Sequence, residues 1–192
     1  MGHAEIRTEV GNAAAQSRQP ALAEAPAVIT RAAKTLLVAG IALFYTLVVF
    51  NNLTDFDSNY QFVHHVLSMD STFPGNHGMW RALPSPAMQL VFCVSIIAWE
   101  IVTMVLLWWG VANLLRVLRR NVAAFQSAKR IPVMALTLSM LMWLVAFLSV
   151  GAEWFLMWQS HTWNGQEAAF RMFTVVGLVL LILLQPETDT QP

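Results

Sequence analysis

The amino-acid sequence predicts an all-α protein: a four-helix transmembrane bundle with a short interfacial helix in the first outer loop. The 192-residue chain is 57% hydrophobic and only 11% charged, whereas about 25% of the residues of an average soluble domain are charged. Its apolar residues are concentrated in four long stretches separated by polar segments. Because a helix needs about 20 such residues to cross the hydrocarbon layer of a bilayer, each stretch is long enough for one span.

Four spans follow from these stretches. We predict helices at about 32–53, 86–112, 131–158 and 168–184, within a membrane domain of residues 31–185. Pro86 and Pro132 stand where a proline suits the first turn of a helix. Residues 1–30 are rich in Ala, Gln, Glu and Pro, a composition that predicts a disordered cytoplasmic tail, and residues 186–192 form a short second tail.

A cleaved secretory signal is the rival interpretation of the first apolar stretch. Its apolar core exceeds the usual 7 to 15 residues of a signal peptide, and the exit at Asn51-Asn52-Leu53-Thr54 has no small-residue cleavage pattern. A membrane span is therefore favoured.

Basic residues predict how the bundle is oriented. Nine of the eleven Lys and Arg residues lie on one side of the predicted spans, and only Arg81 and Arg171 lie on the other. Because Lys and Arg near short loops resist translocation, both termini should be cytoplasmic, with the 54–85 and 160–167 loops facing outward.

Charge balance and motif content narrow the classes of function. Eleven basic residues match eleven acidic ones, so the chain lacks the basic excess of a nucleic-acid binder. The single Cys93 excludes an internal disulfide. No G-x-S-x-G, Walker, H-E-x-x-H or C-x-x-C motif occurs, which disfavours an enzyme. We predict a lipid bilayer as the surroundings, no nucleic-acid partner and no cofactor.

Two loops show helical patterns of their own. Ser58-Asn59-Tyr60-Gln61 has the form of a capping box, which predicts a short helix that runs to about Met69 and lies in the interface plane or covers the bundle. The basic inner loop, residues 113–130, is interleaved with apolar side chains and predicts a helix on the membrane surface in contact with anionic lipid.

A polar site inside the bundle is predicted around Glu100, about halfway along the second helix. An ionised acid in the hydrocarbon costs about 2.5 to 3.5 kcal/mol on insertion scales, so we expect this carboxyl group to be either protonated or strongly partnered. Thr103 lies on the same helix face, and Tyr45 of the first helix is at similar depth. We predict a hydrogen bond between Tyr45 and Glu100 within a candidate site of Tyr45, Glu100 and Thr103, which either fixes helix register or serves a proton or ion pathway.

A second polar group is predicted at the outer face. The third helix carries small residues spaced by three and four, a packing seam that consists of Ala135, Ser139, Met142, Ala146, Ser149 and Glu153. Arg171 begins the fourth helix on the same side, and the two opposite charges would neutralise each other. The predicted outer-face cluster, which pins the helices or binds a ligand, contains Asn51, Asn52, Asp55, Glu153, Gln159, Trp163, Asn164 and Arg171.

The histidines give an alternative of metal binding, with His64, His65, His77 and His161 as the candidates. Adjacent helical residues point about 100° apart, whereas a shared ion favours spacings of three or four. We therefore predict solvated histidines and no metal. All five histidines also lie outside the predicted spans, which argues against ligation of a buried haem.

A family resemblance is carried by the loop end of the sequence. The run GAEWFLMWQS at residues 151–160 is followed by Trp163-Asn164-Gly165-Gln166 and Ala169-Phe170-Arg171, and FVHHVLSMD occupies residues 62–70. This pattern resembles the signature of a bacterial family of predicted small integral membrane proteins with no assigned function, over about residues 33–185. The resemblance implies four helices in a bacterial inner membrane, and it implies no substrate.

The favoured function at this point is an accessory or structural subunit of a membrane complex, with a membrane-protein partner or a second copy of the chain. The loops are too short for a separate catalytic domain. A small transporter or channel that uses Glu100 and the Glu153 and Arg171 pair is the alternative.

Overall fold

A computed structural model describes residues 2–187, with side chains described from Ala27 to Glu187. All regular elements of this part of the chain are helical. The helices are α1 (Gly2–Thr54), α2 (Phe56–Ser68), α3 (Pro86–Arg116), α4 (Val122–Ala128), α5 (Arg130–Leu141, continued by a π-helix over Met142–Trp154) and α6 (Gln166–Leu184). The tail predicted for residues 1–30 falls almost wholly outside the described side chains and stays a prediction.

Four helical segments are long and apolar enough to cross a membrane, which confirms the predicted four-helix bundle. These are Ala27–Thr54, Pro86–Arg116, Val122–Trp154 and Gln166–Leu184. The third ends at Trp154, whereas the sequence pattern continued to Trp158. The helix stops earlier because Leu156 adopts a left-handed backbone with φ of 55°, a conformation that ends a right-handed helix.

The bundle interior is filled by large side chains. Tyr45, Leu107, Leu136 and Met142 have no exposed surface, and they lie where α1, α3 and α5 pack together. α3 and α5 approach closely at Gly110, where an added Cβ would lie 2.8 Å from Cβ of Pro132. Only glycine permits that approach.

The two ends of the bundle differ in charge. At one end Lys34 of α1 and Lys129 beside α5 both donate to the carbonyl of Gln185, just after α6. We call this the basic end. The opposite end, called the loop end, holds α2 and the connections 69–85 and 155–165. The start of the apolar part of α1, at Lys34, and the end of α6 thus meet at the same end.

Helix α2 begins at Asp55, whose carboxylate accepts a hydrogen bond from the backbone N–H of Ser58. The predicted cap at Ser58 is wrong, because an acidic side chain is available three residues earlier and is favoured at a helix N-terminus. Gln61, the other half of the predicted capping box, donates to Asp57 instead. The predicted short helix is present, and it runs antiparallel to the first half of α3, with His64 bonded to Gln89.

The predicted seam on the third helix is buried in its first half only. Ala135, Ser139 and Met142 are fully buried, whereas Ser149 and Glu153 are exposed. The backbone changes from α-helix to π-helix at Met142, and Ser149 Oγ donates to the carbonyl five residues back. Because a π-helix has hydrogen bonds five residues apart, positions spaced by three and four no longer share one face.

Glu100 lies level with the end of α1. α3 has 31 residues, a length of about 46 Å, and α1 ends beside its middle, where Asn52 meets Glu100. The rise of α1 from Lys34 to Asn52 is about 27 Å, close to the roughly 30 Å of a hydrocarbon layer. A hydrocarbon layer that begins at Lys34 therefore ends near Glu100. Glu100 then lies at one edge of the layer and not at its centre.

Candidate functional site

The predicted polar site inside the bundle forms two separate contacts. Tyr45 Oη lies 2.7 Å from Ser139 Oγ of α5, and Glu100 Oε2 accepts a hydrogen bond of 2.6 Å from Asn52 Nδ2. The predicted bond between Tyr45 and Glu100 is wrong, because each group has a nearer partner on another helix. Thr103 is fully buried, and its hydroxyl has no hydrogen-bond partner among the described residues.

These two contacts tie α1 to two different helices. Tyr45 joins α1 to α5, and Asn52 joins α1 to α3. The sequence singled out Asn52, but as a member of the outer-face cluster. Its pairing with Glu100 depends on how far α3 extends past α1, which the sequence pattern does not reveal.

The predicted outer-face cluster is dispersed over several local contacts. Gln159 Oε1 accepts from the backbone N–H of Phe73 at 3.1 Å, and the Trp163 ring stacks on His65 with centroids 4.5 Å apart. Asn164 accepts from the N–H of Gln166 at the start of α6. Asn51 is exposed and Asp55 caps α2. Asp55 and Asn164 therefore bond near the starts of α2 and α6, whereas Gln159 and Trp163 join the 155–165 connection to other parts of the loop end.

Glu153 and Arg171 are both exposed, and no ion pair joins them in the described structure. The cation beside Glu153 is Arg81, which reaches the carbonyls of Glu153 and Trp154. Its guanidinium lies 5.4 Å from the ring centroids of both Trp80 and Trp154. Sequence reasoning assigned no role to Arg81, although the adjacent Trp80 and the Trp-rich 151–160 run were a usable signal for a cation–π contact.

An apolar cavity of about 260 Å³ lies between α2, α3 and the π-helix. Phe62 and Val66 line it from α2, Trp99 from α3, and Ala146 and Gly151 from the π-helix. Small residues at the last two positions leave this space open. Its lining is almost wholly apolar and suits a hydrocarbon group.

The histidine pair lies on α2 at the loop end. His64 Nδ1 lies 2.8 Å from Gln89 Oε1, and His65 Nδ1 lies 2.7 Å from Asp70 Oδ2. One ligand atom each from His64, His65 and Asp70 lies within 4.8 Å of the others, closer than their adjacency on a helix led us to expect. His77 and His161 are exposed and outside this group.

A buried ionic cluster at the basic end joins α1, α5 and the segment after α6. We call Arg31, Lys34, Lys129 and Glu187 the basic cluster. Glu187 Oε1 lies 2.6 Å from the Nζ atoms of both Lys34 and Lys129, and its Oε2 lies 3.5 Å from Arg31 Nε. All four side chains are only 4–6% exposed. This is the most highly charged buried group among the described residues.

Burial raises the pKa of Glu187, but hydrogen bonds and charges from Lys129 and Lys34 outweigh it, so the net pKa lies below the ordinary value. The carboxylate is therefore ionised at neutral pH. The sequence interpretation placed Glu187 in a short tail and missed this role. The usable signal was an acidic residue directly after Pro186. It follows the fourth span on the side of the predicted bundle that carries most of the basic residues.

Phe125 of α4 supports the cluster from one side. Its ring is fully buried, with Arg31 Cζ 5.3 Å and Lys129 Nζ 5.6 Å from the centroid. The inner-loop helix is present, but its aromatic residue packs into the bundle. The basic residues Arg116, Arg119, Arg120 and Arg130 are exposed, and the predicted contact of this loop with anionic lipid stays a prediction.

These features define a multi-pass α-helical integral membrane protein whose polar side chains mostly join its own helices. Residues 30–186 match the model of the family described as predicted small integral membrane protein (DUF2165). The chain belongs to this family, which confirms the resemblance read from the sequence. No curated protein and no solved structure matches the chain.

Proposed function

We propose that the protein is an accessory or structural subunit of a membrane complex and that it docks on its partner through the outward face of α3. One observation carries this proposal: the exposed apolar row on α3 is longer than the hydrocarbon layer is thick. The row runs from Met88 to Leu115 and contains Met88, Leu90, Val91, Val94, Val102, Val105, Trp108, Trp109 and Leu115, each at least 43% exposed.

The row spans about 40 Å along the helix axis, against a hydrocarbon thickness of roughly 30 Å. Tilting alone would fit it only at about 40°, the upper end of the range seen for membrane helices. If the hydrocarbon layer begins at Lys34, it ends near Glu100. The residues of the row that then lie outside the layer are Met88, Leu90, Val91 and Val94, which we call the α3 outer row. A contiguous apolar patch outside lipid is typical of a protein interface.

The filled interior supports an accessory role over transport. Tyr45, Leu107 and Met142 occupy the middle with no exposed surface. The alternative, a transporter or channel, relied on Glu100 and on an ion pair between Glu153 and Arg171. It is less well supported, because Glu153 and Arg171 form no ion pair in the described structure.

The test uses two matched double variants on one helix stripe. Val91→Gln with Val94→Gln alters the α3 outer row, whereas Val102→Gln with Val105→Gln makes the same changes at the depth expected for lipid. Both are expressed at native level, crosslinked in native membranes, affinity-purified and analysed by mass spectrometry. We expect the outer variant to recover at least tenfold less partner than wild type, which corresponds to a change of about 1.4 kcal/mol in the free energy of binding.

The inner variant, Val102→Gln with Val105→Gln, should recover as much partner per amount of folded protein as wild type does. A partner identified as a second copy of this chain would establish a homo-oligomer. The proposal is wrong if the outer variant recovers the wild-type set of partners, or if wild type crosslinks to no protein.

A further inference from the structure

Among the described residues, the basic cluster holds more positive charge than Glu187 can balance. We infer that it is a binding site for a phosphate group, either the headgroup of an anionic phospholipid or free phosphate, and that the Glu187 carboxylate occupies this site in the structure. The inference is independent of the subunit role proposed above.

The charge balance is the first argument. Arg31, Lys34 and Lys129 surround Glu187, and the other described acids lie at the loop end or at the level of Glu100. The described part of the cluster therefore carries a formal charge of +2 behind side chains that are 4–6% exposed. Buried charge without compensation is costly, and an anion with more charge than a carboxylate would lower that cost.

The hydrogen-bond geometry is the second argument. Both lysine ammonium groups bond to the same oxygen, Glu187 Oε1. Arg31 Nε is buried without a hydrogen-bond partner among the described residues, and it faces Oε2 from 3.5 Å. A phosphate presents a further acceptor oxygen, so it can satisfy this nitrogen as well as the two ammonium groups.

The site also keeps its shape when the carboxylate leaves. Lys34 and Lys129 are each held by the carbonyl of Gln185 at 2.9 Å, and Arg31 donates to the carbonyl of Arg120 at 2.6 Å. Glu187 lies after Pro186, beyond the last turn of α6. Its side chain can therefore be displaced without breaking a helical hydrogen bond.

The position in the fold matches a headgroup. The cluster lies where α1, α5 and α6 reach the basic end, beside the exposed Arg119 and Arg130. Basic pockets between spans at this depth bind the headgroups of anionic lipids. The exposed arginines attract such lipids, and the buried cluster binds the phosphate group at a defined position.

Binding is measured on the purified full-length protein in detergent by native mass spectrometry, with three probes: dioctanoyl phosphatidylglycerol, dioctanoyl phosphatidylcholine and inorganic phosphate. Glu187→Gln removes the competing carboxylate, and Lys129→Gln removes one cation. Arg119→Gln is the matched control, because it removes one exposed positive charge at the same end.

We expect Glu187→Gln to bind phosphatidylglycerol about fivefold more tightly than wild type and Lys129→Gln about fivefold more weakly, because each substitution changes one charge in direct contact with the bound phosphate. Arg119→Gln should stay within about twofold of wild type. Binding of phosphatidylglycerol alone identifies a lipid site, and binding of inorganic phosphate as well identifies a general phosphate site.

Equal affinity of Glu187→Gln and wild type for phosphatidylglycerol and for phosphate would overturn the inference. So would equal loss of affinity in Lys129→Gln and Arg119→Gln, since lipid would then be held by surface charge. If Lys129→Gln does not fold, Glu187→Gln decides the question, because it keeps all three cations.

Discussion

At the scale of single residues, buried polar side chains connect helices that are distant in sequence. Glu100 is 4% exposed, and its described hydrogen bond comes from Asn52. An acid in an apolar helix was visible in the sequence, and its need for a partner followed from the cost of burial. The partner's identity did not follow, because it depends on the relative heights of α1 and α3.

We predict that Asn52→Leu lowers the stability of the bundle. The change leaves the buried Glu100 carboxyl without its donor, which should cost about 1 to 3 kcal/mol. The measurement is the free energy of unfolding in detergent micelles, followed by circular dichroism. Asn51→Leu is the control, since Asn51 is the exposed neighbour with the same side chain. Equal losses in the two variants would contradict a specific role for the contact between Asn52 and Glu100.

At the scale of helices, local capping and backbone geometry decide which faces meet. The sequence pattern identified α2 correctly as a helix, but two candidate caps lie three residues apart and local rules favour both. The π-helix of Met142–Trp154 was not visible in the sequence. Its wider spacing turns Glu153 outward, which is why the predicted pair with Arg171 is absent.

We predict that Asp55→Ala weakens α2 by about 1 kcal/mol, the usual value of an N-cap, whereas Ser58→Ala has a much smaller effect. In the structure the backbone N–H of Ser58 makes the cap bond with the Asp55 carboxylate. Hydrogen exchange of the α2 amides, resolved by mass spectrometry, measures the local stability. Faster exchange in Ser58→Ala than in Asp55→Ala would contradict this prediction and would support the cap at Ser58 that the sequence predicted.

At the scale of the whole molecule, the arrangement of charge sets the two ends apart. The chain at Lys34 and the chain after α6 meet at the basic end, whereas Arg81, and Arg171 in the first half of α6, lie towards the other end. The positive-inside rule then predicts that the basic end faces the cytoplasm.

This orientation is tested by labelling single introduced cysteines. Gln126→Cys lies in α4 at the basic end and His161→Cys in the 155–165 connection, both at exposed positions. The native Cys93 is buried and should give little background. We expect a membrane-impermeant maleimide to label His161→Cys in intact spheroplasts and Gln126→Cys only after permeabilisation. The reverse pattern would invert the orientation.

The sequence by itself determined the class of protein, the number of spans and the need to compensate the polar groups inside the spans, such as Glu100. These properties depend on the transfer of long apolar segments out of water and on the burial cost of polar groups, and both are set residue by residue. The tertiary structure alone decided the partners: Asn52 for Glu100, Ser139 for Tyr45 and three cations for Glu187. Partner choice depends on the offset between helices and on the α-to-π change, which arise from packing along the whole length of the bundle.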